Sequence, residues 1–140
     1  MSVIIRAMTI ADYPAAHALW SACEGIGLSD ADARPAVEGF LARNPGLSFV
    51  AVEGEELVGT ALCGHDGRRG YLYHLAVRPD RRREGLGRRL ADHCLDGLRA
   101  AGIGKCHLFV FRSNRAAAAF WERIGWAERQ DLMILSRPLP

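Results

Sequence analysis

A chain of 140 residues that is 49% apolar and carries a formal charge of +2 is long enough to bury the core of one domain without covalent staples. No apolar run reaches the roughly 20 residues of a membrane span, and residues 1–6 lack the basic-then-apolar layout of a signal peptide, so a cytoplasmic protein with no membrane partner is expected. Cys23, Cys63, Cys94 and Cys106 are scattered with no C-x-x-C pair, which points away from a zinc site or a disulfide framework and predicts reduced core thiols and no metal.

Residues 2–6 alternate weakly and predict a first strand. Thr9 is placed to cap a helix over residues 10–22, with Pro14 tolerated in the first turn and Leu19 and Trp20 on the apolar side. A second helix is predicted over about 32–43 and ends at Asn44-Pro45-Gly46. The runs 47–53 and 57–64, joined by Gly54-Glu55-Glu56, read as a hairpin, and a turn over 66–70 leads into a third antiparallel strand, 71–77. In that strand Leu72 is out of phase with Leu75 and Val77. A bulge near Tyr73-His74 would put all three on one face, and a strand buried on both faces accounts for the pattern equally well.

From 85 to about 101, Leu86, Leu90, Cys94 and Leu98 recur at four-residue spacing and predict an amphipathic helix that Gly102 closes. A strand over 105–111, a helix over 114–124 and one or two strands over 126–137 complete the order. The prediction is a mixed α/β (α+β) domain spanning residues 1–140, with a largely antiparallel sheet and about four helices.

The segment Arg82-Arg83-Glu84-Gly85-Leu86-Gly87-Arg88-Arg89 joins the 71–77 strand to its helix. A strand that runs through a glycine-bearing turn into a helix leaves N–H groups unpaired beside the positive end of the helix dipole, so the natural ligand is an anion. The third glycine of a dinucleotide fingerprint is missing, since Leu90 stands there, and no G-K-[ST] step is present. The charge distribution agrees: residues 1–70 hold five Arg against nine acids and residues 71–140 hold thirteen Arg and Lys against seven, about −4 and +6. A basic half suits a polyanion, and an acidic half suits a cationic acceptor or a plain solvated surface.

What fits is R/Q-x-x-G-x-G/A, as Arg82-x-x-Gly85-x-Gly87. Together with Leu75-Ala76-Val77-Arg78-Pro79-Asp80 before it and Asn114-x-x-Ala117-x-x-Phe120-Trp121-x-x-x-Gly125-Trp126 after it, this resembles the GNAT superfamily of acetyl-CoA-dependent N-acetyltransferases. The resemblance implies a sheet splayed between its fourth and fifth strands, with acetyl-CoA in the gap. It implies cofactor contacts along Leu75, Ala76 and Val77 for the pantetheine arm, at Arg82, Arg83, Glu84, Gly85, Leu86, Gly87 and Arg88 for the pyrophosphate, and at Asn114, Ala117, Phe120 and Trp121. Glu84 is an acid inside an anion-binding turn, so its side chain must point away if its N–H is used. The acceptor would be a small-molecule or peptide amine, and a homodimer is compatible.

Amine acetylation needs a neutral amine, and a lysine-like ammonium loses its proton only near pH 10.4, so a base or a water relay is expected. His74 is the first candidate, because imidazole titrates in the physiological range and lies where the strands should part; a packing role is the competing reading. Tyr73 is the alternative, ordering a water, and His107 is the second histidine. The glutamate base of some family members would align with Phe109 and is absent. Trp121 stands where the family has a tyrosine that protonates the leaving thiolate; indole has no suitable proton to give. Two other readings follow: a catalytically silent CoA-binding module, and a nucleic-acid patch built on Arg78, Arg81, Arg82, Arg83, Arg88 and Arg89, disfavoured because no nucleic-acid motif accompanies the charges.

Overall fold

The computed structural model describes residues 2–140. The chain divides after Phe109 into two compact units. The first holds a five-stranded sheet in the order β1 (Ile4–Ala7), β2 (Phe49–Glu53), β3 (Glu56–His65), β4 (Gly70–Val77) and β5 (Cys106–His107). The first four pair antiparallel and β5 joins β4 in parallel. Its helices are α1 (Tyr13–Ala22), α2 (Arg34–Arg43) and α3 (Leu86–Ala100), with short 3-10 turns at Ile10–Asp12, Asp30–Asp32 and Pro79–Arg81. The second unit contains α4 (Arg115–Arg123).

The strand period sorts the helices onto two faces. Thr60 of β3 meets Trp20 of α1, whose indole Nε1–H donates to Thr60 Oγ1 at 2.9 Å. Its neighbour Gly59 points the other way: a Cβ there would lie 3.0 Å from a methyl of Leu90 in α3. So α1 covers one face and α3 the other, and β3 between them is buried from Val58 to Gly64. On the α1 side Met8, Ala16, Leu19, Trp20, Val37, Val50, Leu62 and Ala76 form one apolar cluster. On the α3 side Leu86, Leu90, Cys94 and Leu98 are all buried, as the four-residue spacing predicts. Each such leucine contributes roughly 1.5–3 kcal/mol by leaving water. All four cysteines are free; a hydrogen bond shared with Cys63, and then burial, push the Cys94 thiol up, so it stays neutral in the core.

The last predicted strands are not formed. β5 is confined to Cys106–His107 instead of 105–111, and no residue from 126 to 137 enters a strand. Leu132, Met133, Ile134 and Leu135 are all exposed: an apolar run reads as a strand in sequence, yet it becomes one only where a ladder partner and a burying layer exist. The second helix starts at Arg34 because Asp30–Asp32 is taken by a separate 3-10 turn capped by Ser29. Among the described residues no helix is long and apolar enough to cross a membrane.

The entry into α1 is fixed by a small polar clasp. Asp12 accepts from the Arg6 guanidinium through both carboxylate oxygens, at 2.8 and 2.9 Å, and from Thr9 N–H at 2.9 Å. The Arg6 hydrogen bonds, helped by Thr9 N–H and opposed by burial, hold the Asp12 carboxyl below its ordinary value. A carboxyl depressed in the folded state adds stability that is present above the unfolded value of about 3.9 and is lost as pH falls through the folded one. Asp12→Ala is therefore expected to cost about 1 kcal/mol at pH 7. In thermal melts against pH the gap from the parent should close below about pH 4; a gap that stayed constant down to pH 2 would remove the charge from the account.

Candidate active site

β4 is irregular at one place. Thr60 pairs with Ala76 and Leu62 with Tyr73, so the single residue Ala61 faces both His74 and Leu75. This is a bulge, located where the phase slip between Leu72 and Leu75 placed it, and it brings Leu72, Leu75 and Val77 onto the same face. At the bulge His74 has φ +50°, a left-handed conformation uncommon for a residue with a Cβ and costing on the order of 1 kcal/mol. Two hydrogen bonds hold it there. Thr60 Oγ1 donates to His74 O at 2.9 Å while accepting from Trp20, and the imidazole Nε2 lies 2.6 Å from Asp32 Oδ1. The Trp20 ring packs against the imidazole at 4.8 Å between centroids.

Asp32 is buried, with only 7% of its surface exposed. Its other oxygen accepts from Ser29 N–H at 2.9 Å, and its backbone carbonyl accepts from Tyr13 Oη–H at 2.6 Å. The segment between α1 and α2 is thus fastened to the middle of β4. Tyr73 is half-exposed and belongs to an aromatic row: its ring stacks with Tyr71 and Phe109 at 6.4 Å each, and Phe40 meets it edge-on at 6.1 Å. Burial pushes the Tyr73 phenol up, so it remains protonated at neutral pH. His107 packs on Tyr71 with no acidic partner among the described residues.

Among the described residues no strand pairs with β4 on its β5 side beyond Tyr71, since β5 reaches only Gly70 and Tyr71. The sheet is therefore open along Leu72 to Val77. The N–H of Arg78 donates to Val58 O on β3 at 2.9 Å, so the preceding carbonyl, Val77 O, faces the open side. Arg82 fills that position: its Nε donates to Val77 O at 3.1 Å, and its terminal nitrogen lies 3.8 Å from Cys23 Sγ. The first arginine of the turn motif thus folds back over the strand end instead of extending along the turn.

The turn itself is an anion nest. Arg83 has φ +67° and Gly85 φ +80°, and the N–H groups of Gly85 to Arg88 donate to no backbone carbonyl among the described residues. The first to do so is Arg89 N–H, to Gly85 O at 3.1 Å. Unpaired N–H groups at the start of a fifteen-residue helix present a backbone suited to an anion. The carboxylate of Glu84 is held by Arg81 at 3.1 Å, and Arg81 also binds both oxygens of Glu53 on β2. Hydrogen bonds to Glu84 and then Glu53 raise the Arg81 pKa, and the same guanidinium lowers that of Glu84. Arg78 is likewise spent on Asp80 and Glu56. Arg83, Arg88 and Arg89 remain exposed around the nest.

In the second unit, Asn114 caps α4 by accepting from Ala117 N–H at 3.1 Å. Trp121 is buried and packs edge-to-face with Phe120 and Trp126, at 5.1 and 5.2 Å. Sequence reasoning singled out His74 but missed its partner. Asp32 lies 42 residues away, and its only local signal is the cap spacing from Ser29.

Comparison with known proteins agrees with this geometry. Residues 13–126 match the model of the acetyltransferase (GNAT) family. An acetyltransferase of Pectobacterium atrosepticum is 33% identical over 135 residues, covering 96% of this chain and 94% of the relative. Among solved structures, the ribosomal-protein-S18-alanine N-acetyltransferase of Escherichia coli superposes with a TM-score of 0.72 at 28% identity, over 92% of this chain and 80% of that one. AAC(6')-Iy, bound to the bisubstrate analogue CoA-S-monomethyl-acetylneamine, superposes with a TM-score of 0.79 at 17% identity, over 99% and 100%. With the splayed sheet, the nest and these relatives in agreement, the chain belongs to the GNAT family of acetyltransferases.

Proposed function

We propose that the enzyme acetylates a primary amine from acetyl-CoA by direct attack, with His74 as the base. The observation that carries this reading is the imidazole itself, fixed by Asp32 on a bulge of β4 beside the edge that β5 leaves open. Bound acetyl-CoA supplies an acetyl group activated as a thioester. The residues fit it: the unpaired N–H groups of 85–88 take the pyrophosphate, Arg83 and Arg88 add charge, and Leu75, Ala76 and Val77 line the pantetheine arm. An N–H of β4 at the open edge stabilises the oxyanion. His74 takes the proton the amine must lose, and Tyr73 orders a water on the same strand.

Trp121 contributes packing rather than a proton, so the departing thiolate is protonated by solvent; a thiol titrates near 8.5, which makes its anion a tolerable leaving group. The acceptor class is set by chemistry: an unhindered amine on a small molecule, an amino acid or a peptide. The neighbours named for ribosomal-protein alanine and for an acetylneamine conjugate span that range. A panel of such amines with acetyl-CoA, followed by free-thiol release, tests the reading; CoA binding without turnover of any amine would favour a silent CoA-binding module.

Acetyl-CoA is expected to raise the melting temperature as a ligand of the native state, and Gly87→Val should abolish the shift by filling the space the phosphates need. A folded Gly87→Val protein that binds CoA as tightly as the parent would show the nest to be misassigned.

His74→Asn, chosen because Asn tolerates the left-handed backbone, should lower turnover by roughly 10²–10⁴ while leaving acetyl-CoA binding in place. A loss of under about threefold returns His74 to a packing role on the same scale.

Trp121→Phe should retain much of the activity, whereas Trp121→Ala should destabilise the protein by about 3–5 kcal/mol. Steady-state rates and denaturant melts check the pair. A hundredfold loss of turnover in a stable Trp121→Phe protein would assign the indole N–H a part in the chemistry.

A further inference from the structure

We propose that Asp32 is a positioning residue that selects the tautomer of His74, holding the proton on Nε2 and leaving Nδ1 as the nitrogen that accepts the proton of the acceptor amine. The inference rests on His74 being the base. It adds which atom does the work and why that atom is available.

The geometry carries the assignment in three steps. A carboxylate accepts and does not donate, so the 2.6 Å contact between Asp32 Oδ1 and Nε2 requires a hydrogen on Nε2. A neutral imidazole bears one N–H, so the other nitrogen presents a lone pair. That nitrogen, Nδ1, has no partner among the described residues, and no fully buried side-chain nitrogen or oxygen among them lacks one; Nδ1 is therefore not sealed from solvent, on a side chain that is 14% exposed. When the amine attacks, its proton passes to Nδ1 and gives an imidazolium whose Nε2–H stays on the carboxylate, and the proton is later released from Nδ1 to water.

Asp32 is built for this and for more than loop closure. Its Oδ2 already serves the Ser29 cap and its carbonyl serves Tyr13, so Oδ1 is spent on the imidazole alone. The ring cannot rotate freely to exchange its nitrogens, because Trp20 packs on it and the backbone carrying it is pinned through Thr60. Around this pair stand Tyr13 and Trp20 from α1, with His17 behind Trp20 at 6.4 Å and Arg34 over the Tyr13 ring at 5.8 Å. Asp32 is the only acid among those contacts. Asn in its place would keep the size and one acceptor. With its carbonyl turned to Ser29 N–H it would offer N–H to Nε2, forcing the hydrogen onto Nδ1 and removing the lone pair from the open side.

Proton–nitrogen correlation spectra of the nitrogen-15-labelled 140-residue chain read the tautomer directly, with the His74 signals assigned by their absence from His74→Asn. The expected parent spectrum has neutral His74 with a pyrrole-like Nε2 and a pyridine-like Nδ1; the reverse pattern overturns the proposal whether or not an amine substrate has been found. In the amine assay, Asp32→Asn should lower kcat at least tenfold with KM for acetyl-CoA within threefold of the parent, and its His74 should show the reversed tautomer. Unchanged kcat, or a fall in kcat with the parent tautomer retained, makes Asp32 a loop fastener and overturns the assignment. If Asp32→Asn does not fold, the parent spectrum decides alone. Failure of every amine to turn over counts against the acetyl-transfer reading of His74 and leaves the spectrum free to judge the pairing.

Discussion

The site depends on one relay of hydrogen bonds that crosses the sheet from helix to strand. Trp20 donates to Thr60 and Thr60 donates to the carbonyl of His74, with Trp20 and Thr60 wholly buried. A buried indole N–H and a buried hydroxyl each need a partner, and leaving either without one costs roughly 1–3 kcal/mol. Satisfying both in series ties α1 to β3 and β3 to the residue of β4 whose backbone is least comfortable. The bulge persists because the core around it would lose more by relaxing than the left-handed residue loses by staying.

That bulge organises the rest of β4. Among the described residues only Gly70 and Tyr71, which precede the bulge by a few residues, pair on both sides; from Leu72 onward β4 pairs with β3 alone. The extra residue turns the imidazole toward Asp32 while keeping Leu75 and Val77 in phase with the core face. The insertion thus aims a titratable ring at the segment between α1 and α2, beside an edge that the short β5 leaves open.

Much of this was legible in the chain, for identifiable reasons. The four-residue spacing of Leu86, Leu90, Cys94 and Leu98 is a local signal, and so is the phase slip of Leu72; both survive folding because they encode which side of an element is dry. The turn from Arg82 to Arg88 is equally local. Asp32 is different. Its pairing with His74 is a fact of tertiary placement, for which the sequence carries only the Ser29 spacing and an acidic half that suits a cationic acceptor or a solvated surface equally. Arg82 shows the same limit, since a motif position says which residue is present and not that its guanidinium turns back to Val77. The segment after Trp126 shows the limit from the other side: its apolar residues have strand character, yet they stay exposed and enter no strand.

The arrangement of the arginines alters what the strong positive half of the chain means. Arg78 and Arg81 are neutralised by Glu53, Glu56, Asp80 and Glu84, and Arg82 is occupied with the strand end. Arg82, which keeps its charge on the neutral carbonyl of Val77, shapes the potential around the nest together with Arg83, Arg88 and Arg89, and Arg88 has Asp92 at 3.9 Å. Salt screens that field, as it does any exposed charge, within about one Debye length, roughly 8 Å at physiological ionic strength. Such a surface discriminates by contact rather than by capture at a distance: a compact pyrophosphate that fits the nest meets all of the attraction, while a long polyanion passing over the same face meets alternating signs and gains little.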